Sequence, residues 1–260
     1  TNTELAEACS KGDVDFYISA TGQYTSRYQP FTIVEAFYMF RDMDHMFKFY
    51  ESDAHQQLVD GLAEACDVHI LADLYYGARQ MTTSGKPLNT ADDLEGLKMR
   101  AANEPLPIAA FTQLGAAPTP IAYNETYLAL QQKTVDGQEN PTAMIWNNNI
   151  WEVQPYMTVS EHVWTATTLC IGAEFFEGLP EDYQAVIQEA ADNTTRLQRE
   201  MITQQNEELL QNIIDGGVEV VELTDEAKQE FIDIAQESVY PQAAQDYGQE
   251  QIDLALAYNR

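Results

Sequence analysis

Two arginines and an asparagine are the residues whose types and placement point most directly to a binding chemistry. Arg100 closes the run Gly96-Leu97-Lys98-Met99-Arg100, and Arg79 follows Tyr75-Tyr76-Gly77-Ala78. Asn140 stands near the end of Val135-Asp136-Gly137-Gln138-Glu139-Asn140-Pro141. Each falls where a run readable as a strand gives way to a turn. A fixed guanidinium beside an amide at neighbouring strand ends suits a small anion, most simply a carboxylate, because the planar fork grips two oxygens at once. The competing reading is a surface arginine paired with one of the chain's many carboxylates, an interaction worth little.

Catalytic and metal chemistry find less support. His45, His55, His69 and His162 show no paired ligand spacing, and Cys66 with His69 forms a lone Cys-x-x-His. No Gly-x-Gly-x-x-Gly or Walker-type loop occurs, so nucleotide chemistry has no carrier. Asp136 and Glu139 could be read as an acid/base pair. The simpler reading is that they support the strand end and balance the charge of Arg100. No cofactor and no metal are expected.

The elements that must position these side chains follow from periodicity. Residues 96–141 read as strand, helix, strand, helix, strand, the signature of a parallel α/β layer, whose ligands lie beyond the carboxyl ends of the strands. Upstream come a helix over Thr3–Lys11, a strand over Val14–Ile18 and a polar loop from Gly22 to Pro30 holding Tyr24, Arg27 and Tyr28. Helices over Asp42–Tyr50 and Ala54–Cys66 follow, then a strand over Val68–Tyr76 that delivers Arg79 just past its end. Phe37, Phe40, Phe47 and Phe49 read as core. Downstream, a helical segment carries Trp146 and Trp151, and a strand crosses Thr165–Gly172. A helix from Tyr183 to about Ile214 is roughly 50 Å long, too long for one small lobe, so it spans two. A strand over Val218–Val221 and two helices complete the chain to Arg260.

Composition narrows the partners. The 260 residues carry 42 acidic against 13 basic side chains, for a net charge of −29. Nucleic acid and anionic membrane surfaces are poor partners for such a chain. The acidity reads as a solvated surface suited to a salty medium, where self-repulsion is screened. Cys9, Cys66 and Cys170 are odd in number and widely spaced, so they read as small core residues. No apolar run approaches the roughly 20 residues of a spanning helix.

Taken in order, a set of short motifs carries a family resemblance. They are Gly77-Ala78-Arg79-Gln80, Gly96-Leu97-Lys98-Met99-Arg100, Gly115-Ala116-Ala117-Pro118-Thr119-Pro120, Tyr127-Leu128-Ala129-Leu130-Gln131 and Val135-Asp136-Gly137-Gln138-Glu139-Asn140-Pro141. Glu152-Val153-Gln154 before His162, and Leu179-Pro180-Glu181, continue the series. Each is weak alone, and their order and spacing are specific. The chain resembles the substrate-binding proteins of tripartite ATP-independent periplasmic (TRAP) transporters, the DctP type, over nearly its whole length.

The resemblance implies an α/β, two-lobe periplasmic binding protein-like (type II) fold with a long helix spanning both lobes. Lobe I is expected over 1–76 and 167–205, and lobe II over 77–166 and 206–260. It implies a periplasmic protein, monomeric and not an enzyme, that closes over a small organic acid such as a dicarboxylate and delivers it to TRAP membrane permease subunits. By the same resemblance Arg100 makes the main salt bridge to the ligand carboxylate, Arg79 and Asn140 assist, and Tyr123 and Tyr76 line the pocket. Ala20 and Tyr24, with Tyr17, are expected where lobe I faces the ligand. Family chains open with a strand, a helix and a second strand ahead of the position of Thr1, so this sequence reads as lacking them. An ABC-importer-type solute-binding protein or a sensor is the alternative of similar architecture. An enzyme using Asp136 and Glu139 is the remaining one.

Overall fold

The computed structural model describes residues 2–20, 24 and 27–257. Its strands are β1 (Phe16–Ala20), β2 (Val68–Thr83), β3 (Lys98–Ala101), β4 (Ala117–Pro120), β5 (Gly137–Pro141), β6 (Tyr156–Val159), β7 (Trp164–Gly172) and β8 (Glu219–Glu222). The helices before residue 150 are α1 (Asn2–Ser10), α2 (Met43–Tyr50), α3 (Asp53–Cys66), α4 (Pro105–Gln113), α5 (Thr126–Gln131) and α6 (Thr142–Asn147). After it come α7 (Ala173–Glu177), α8 (Glu181–Asp215), α9 (Asp225–Ile234), α10 (Tyr240–Tyr247) and α11 (Gln249–Ala257). The helical reading as far as Arg260 includes residues 258–260, which lie outside the described residues, as does most of the loop after Ala20.

The strands form one mixed sheet in the order β1-β7-β2-β5-β3-β4, with β6 on β2 and β8 on β6. As expected, β3 runs parallel to both β4 and β5. The rest of the sheet is organised by β2, which at 16 residues continues well past Tyr76. Its first part, Val68–Ala78, pairs antiparallel with β7, and Arg79–Thr83 pairs antiparallel with β5. Arg79 therefore lies inside a strand and not beyond one. The glycine read as a terminating turn is instead a bulge: the register with β7 slips between Tyr75 and Gly77, and Gly77 takes φ +113°.

That slip decides which way the following side chains point. Leu74 and Tyr76 line one cavity, as a period of two requires, but the next residue to line it is Arg79. Tyr75, Ala78 and Gln80 line a different cavity. Without the extra residue the alternation would turn Arg79 onto the other face.

Helix α8 is one element of 35 residues, about 50 Å long, laid across β2 and α6. Pro180 precedes it, and Glu181 and Asp182 occupy its first turn, where the helix dipole favours acids. The main core packs around Phe31, Phe37, Phe49 and Phe111, with Phe231, Val239 and Tyr240 from the chain's last quarter in the same cluster. A smaller one gathers Leu130, Val135, Ile145, Ile150 and Ile213 beneath the β5–β6 region. Phe37, Phe40, Phe47 and Phe49 are all buried. Cys9, Cys66 and Cys170 are buried free thiols.

β5 is squeezed between β2 and β3 at its first residue. A Cβ on Gly137 would lie 2.5 Å from the Thr82 carbonyl oxygen and 2.7 Å from Met99 Sδ. Gly137→Ala is expected to lower stability by about 2 kcal/mol in urea unfolding. Gly85→Ala, where the added methyl meets nothing within 4 Å, should stay within about 0.5 kcal/mol of the parent.

Candidate functional site: a cavity with one uncommitted arginine

A cavity of about 510 Å³ opens where the carboxyl ends of β3 and β5 meet the bulged stretch of β2, with α8 closing one side. Arg100, Arg79, Asn140, Tyr123, Tyr76 and Ala20 all line it. Arg100 comes from β3, Asn140 from β5, and Tyr76 and Arg79 from either side of the bulge. Tyr123 stands at the head of a 3₁₀ turn (Tyr123–Glu125) that follows β4.

Tyr24 is the exception and corrects the sequence expectation. It is fully buried, edge-on to Tyr17 with ring centroids 6.3 Å apart, and Tyr17 is buried beside it. In β1 the residues that face the cavity are Ile18 and Ala20, so alternation sends Tyr17 to the opposite, core side.

The two arginines differ in what holds them. Arg79 forms a bidentate ion pair with Glu139: Nε donates to Oε2, and a terminal nitrogen donates to Oε1 at 2.9 Å. The same nitrogen reaches the Glu139 carbonyl at 3.1 Å and Asn140 Oδ1 at 3.2 Å. Asn140 in turn donates to Gln138 at 2.6 Å, and Gln138 donates to Thr82 at 2.9 Å. On the far side of Glu139, His162 Nε2 lies 3.3 Å from Oε2 and Nδ1 lies 2.8 Å from the Ser160 hydroxyl. Glu139 therefore balances Arg79 and not Arg100. Asp136, the other acid of that motif, accepts the Lys98 backbone N–H at 2.9 Å and ties β3 to the approach to β5.

The electrostatics of this network follow its geometry. Burial alone would raise the Glu139 carboxyl, but the Arg79 guanidinium, with hydrogen bonds from His162 and Arg79, holds it down at about 2. Burial lowers the His162 imidazole against the opposing pull of Glu139, so the ring is neutral. An ionised carboxylate only accepts, so Nε2 carries the proton and Nδ1 accepts from Ser160.

Arg100 is only 4% exposed. Its Nε donates to the Ile121 carbonyl at 3.0 Å, and its guanidinium carbon sits 5.9 Å from the centre of the Tyr123 ring. Among the described residues no carboxylate lies within ion-pair distance of it. Burial pulls its pKa below the usual value, as expected for a cation taken out of water, with Glu139 acting in the opposite sense. The Tyr123 hydroxyl beside it is buried without a hydrogen-bond partner among the described residues.

Several lining residues escaped the sequence reading. Phe37, expected only as core, also lines the cavity, and its ring lies 4.6 Å from that of His162. Gln198 and Ile202 enter from the middle of α8, where no local pattern marks them. Glu35 and Glu104 are the most consequential omissions. Glu35 ends the 3₁₀ segment Gln29–Glu35, and Glu104 precedes α4. For Glu104 a signal existed in Glu104-Pro105-Leu106-Pro107, an acid at a helix start whose usual backbone donors are partly deleted. Among the described residues no cluster of three or more His, Cys, Asp or Glu has a metal-holding arrangement, and no helix is long and apolar enough to cross a membrane.

The profile of bacterial extracellular solute-binding proteins, family 7 (DctP), matches residues 1–246. The chain belongs to this family. It is 29% identical over 222 residues to the 2,3-diketo-L-gulonate-binding periplasmic protein of Escherichia coli (strain K12), covering 85% of this chain and 67% of that relative. A crystal structure of a TRAP periplasmic solute-binding protein from Shewanella oneidensis with bound succinate superposes with a TM-score of 0.93 at 27% identity, over 100% of this chain and 84% of the other. A Roseobacter denitrificans homologue with bound β-D-glucuronate gives 0.94 at 26% identity, over 99% and 84%. The chain spans 67% of the Escherichia coli relative's length and 62% and 61% of the lengths of two further solute-binding relatives, from Sulfitobacter sp. and Roseobacter denitrificans. The relatives are solute-binding proteins of transport systems rather than enzymes, and members of this extracellular family are periplasmic.

The ion pair makes a testable demand on acid stability. Glu139 in the folded chain sits near 2 against an ordinary value of 4.5. A depressed acid contributes stability that is complete above its unfolded pKa and lost as pH falls toward the folded one, here about 3 kcal/mol between pH 4.5 and 2. Glu139→Gln is expected to be less stable at neutral pH, because Arg79 loses its partner. Denaturant titrations should then show stability falling less steeply for this variant below pH 4.5 than for the parent. Equal slopes would contradict the assignment.

Proposed function

We propose that the chain captures a small organic acid in this cavity, with the carboxylate on Arg100, and hands it to a TRAP permease in the membrane as a monomeric periplasmic receptor. The observation that carries the reading is Arg100 itself. In a chain of 42 acidic residues it is almost wholly buried, lines a cavity, and has no carboxylate within ion-pair reach among the described residues. A buried cation in that position is costly until an anion arrives, and a desolvated bidentate pair is the strongest interaction open to it.

Arg79 and Asn140 act differently from Arg100 in this account. Arg79 is committed to Glu139, so its part is to fix Asn140 and the floor of the cavity. One N–H of Asn140 remains for the ligand. Tyr123 presents its ring beside Arg100 and its hydroxyl supplies a further hydrogen bond, while Tyr76 lines the same cavity. The relatives named above carry succinate and glucuronate, both carboxylates, in keeping with this role.

Capture by closure is the accompanying mechanism, with lobes 1–76 plus 167–205 and 77–166 plus 206–260. On this division β2 crosses at the Gly77 bulge, and α8 crosses beside it at Asn206, whose side-chain nitrogen lies 3.1 Å from where a Gly77 Cβ would stand. A ligand touching both sides would favour the closed form by its differential affinity.

Thermal shift with a panel of organic acids tests the reading. An acid at about 100 times its Kd adds roughly 2.7 kcal/mol of stability. Arg100→Ala is expected to fold normally and lose that shift entirely. Arg79→Ala should weaken binding while also lowering the ligand-free melting temperature, because Glu139 is left buried and unpaired. Comparable affinity in Arg100→Ala and the parent would contradict the assignment.

A further inference from the structure

Glu104 occupies the N-cap position of α4, where an acid normally accepts backbone N–H groups of the first turn. Pro105 and Pro107 remove the N–H from two of the first three helical positions. The Glu104 side chain makes no cap hydrogen bond. It is only 8% exposed, lines the cavity, and is hydrogen-bonded to Glu35, which lines the same cavity from the 3₁₀ segment. Two carboxyl groups in hydrogen-bond contact hold a proton between them, so the pair carries one negative charge and not two. Burial, and then the charge and hydrogen bond of Glu35, raise Glu104 well above an ordinary glutamate, in line with that sharing.

Among the described residues that line the cavity, Arg79 and Glu139 cancel one another in their bidentate pair. Arg100 adds a buried positive charge, and the Glu35–Glu104 pair adds a negative charge with its acceptor oxygens. A ligand with one carboxylate satisfies Arg100. Its remaining polar groups then meet acceptors, which call for donors. A second carboxylate would instead meet a like charge in a desolvated space.

We propose that Glu35 and Glu104 are specificity-determining residues: the cavity selects a monocarboxylate whose other polar groups are hydrogen-bond donors, hydroxyl or ammonium, and disfavours dicarboxylates. This inference rests on the carboxylate role of Arg100 argued above. With Arg79 committed to its ion pair, Arg100 is the anion-binding position among the described residues, and the acid pair reads what is attached to the ligand carboxylate.

Isothermal titration at about pH 7.5 with three probes tests this: D-glucuronate for hydroxyl donors, 6-aminohexanoate for an ammonium donor, and succinate as the dicarboxylate. The expected result is binding of glucuronate or 6-aminohexanoate, and which one binds identifies the donor. Succinate should bind roughly 100-fold more weakly. Either single Gln variant would leave the pair's one charge in place, so Glu35→Gln combined with Glu104→Gln, checked by thermal melt, is the variant that should narrow that gap by roughly tenfold or more, with succinate gaining. Glu35→Leu combined with Glu104→Gln removes the same charge and keeps the test open if the first variant misfolds. Succinate binding as tightly as the better of the other two, or an unchanged ratio in the folded double variant, would overturn the inference. If binding is abolished by Arg100→Ala while the ratio ignores both glutamates, the Arg100 reading stands and only this inference fails. Binding of none of the three counts against both.

Discussion

The bidentate pair between Arg79 and Glu139 is the interaction on which the cavity depends. It places a cation and an anion against each other in a largely dry interior, with His162, Ser160, Asn140, Gln138 and Thr82 satisfying much of the remaining hydrogen-bonding capacity. Such a network is favourable only when its members are paired, and once paired it is rigid. Its consequence lies at the neighbouring arginine. Because Glu139 is spent on Arg79, Arg100 keeps its charge available. Two arginines brought into one cavity thus take different duties from the company they keep.

The remaining charges extend the same logic. A chain of net charge −29 repels small anions at long range, and physiological salt screens that repulsion beyond about 8 Å. Binding an anion therefore requires a local, desolvated cation shielded from the surface acids. β3 supplies it at the cavity rather than at the rim. The prolines after Glu104 work in the opposite sense, denying that acid its usual backbone partners and turning it toward Glu35.

Much of this was legible in the sequence, and the failures have physical causes. The parallel arrangement of β3, β4 and β5, the length of α8 and the burial of the phenylalanines followed from periodicity and capping. Strand ends were read at glycines, which misplaced the end of β2. Gly77 serves as a bulge there, and pairing with β5 holds the strand together as far as Thr83. Glu139 was matched to the wrong arginine because spacing along the chain does not reveal a cross-strand diagonal. Tyr24 was assigned to the cavity on position alone, while its ring is packed into the core. Gln198 and Glu35 lie on elements with no local mark of function, since long-range packing brings them to the cavity.

A crystal structure with a bound organic acid, D-glucuronate being a suitable first choice, tests the central claim most directly. The account predicts the ligand carboxylate on the Arg100 guanidinium, with the Arg79–Glu139 pair intact beneath it. A carboxylate held by Arg79 with Glu139 displaced, or an acid bound away from Arg100, would contradict it.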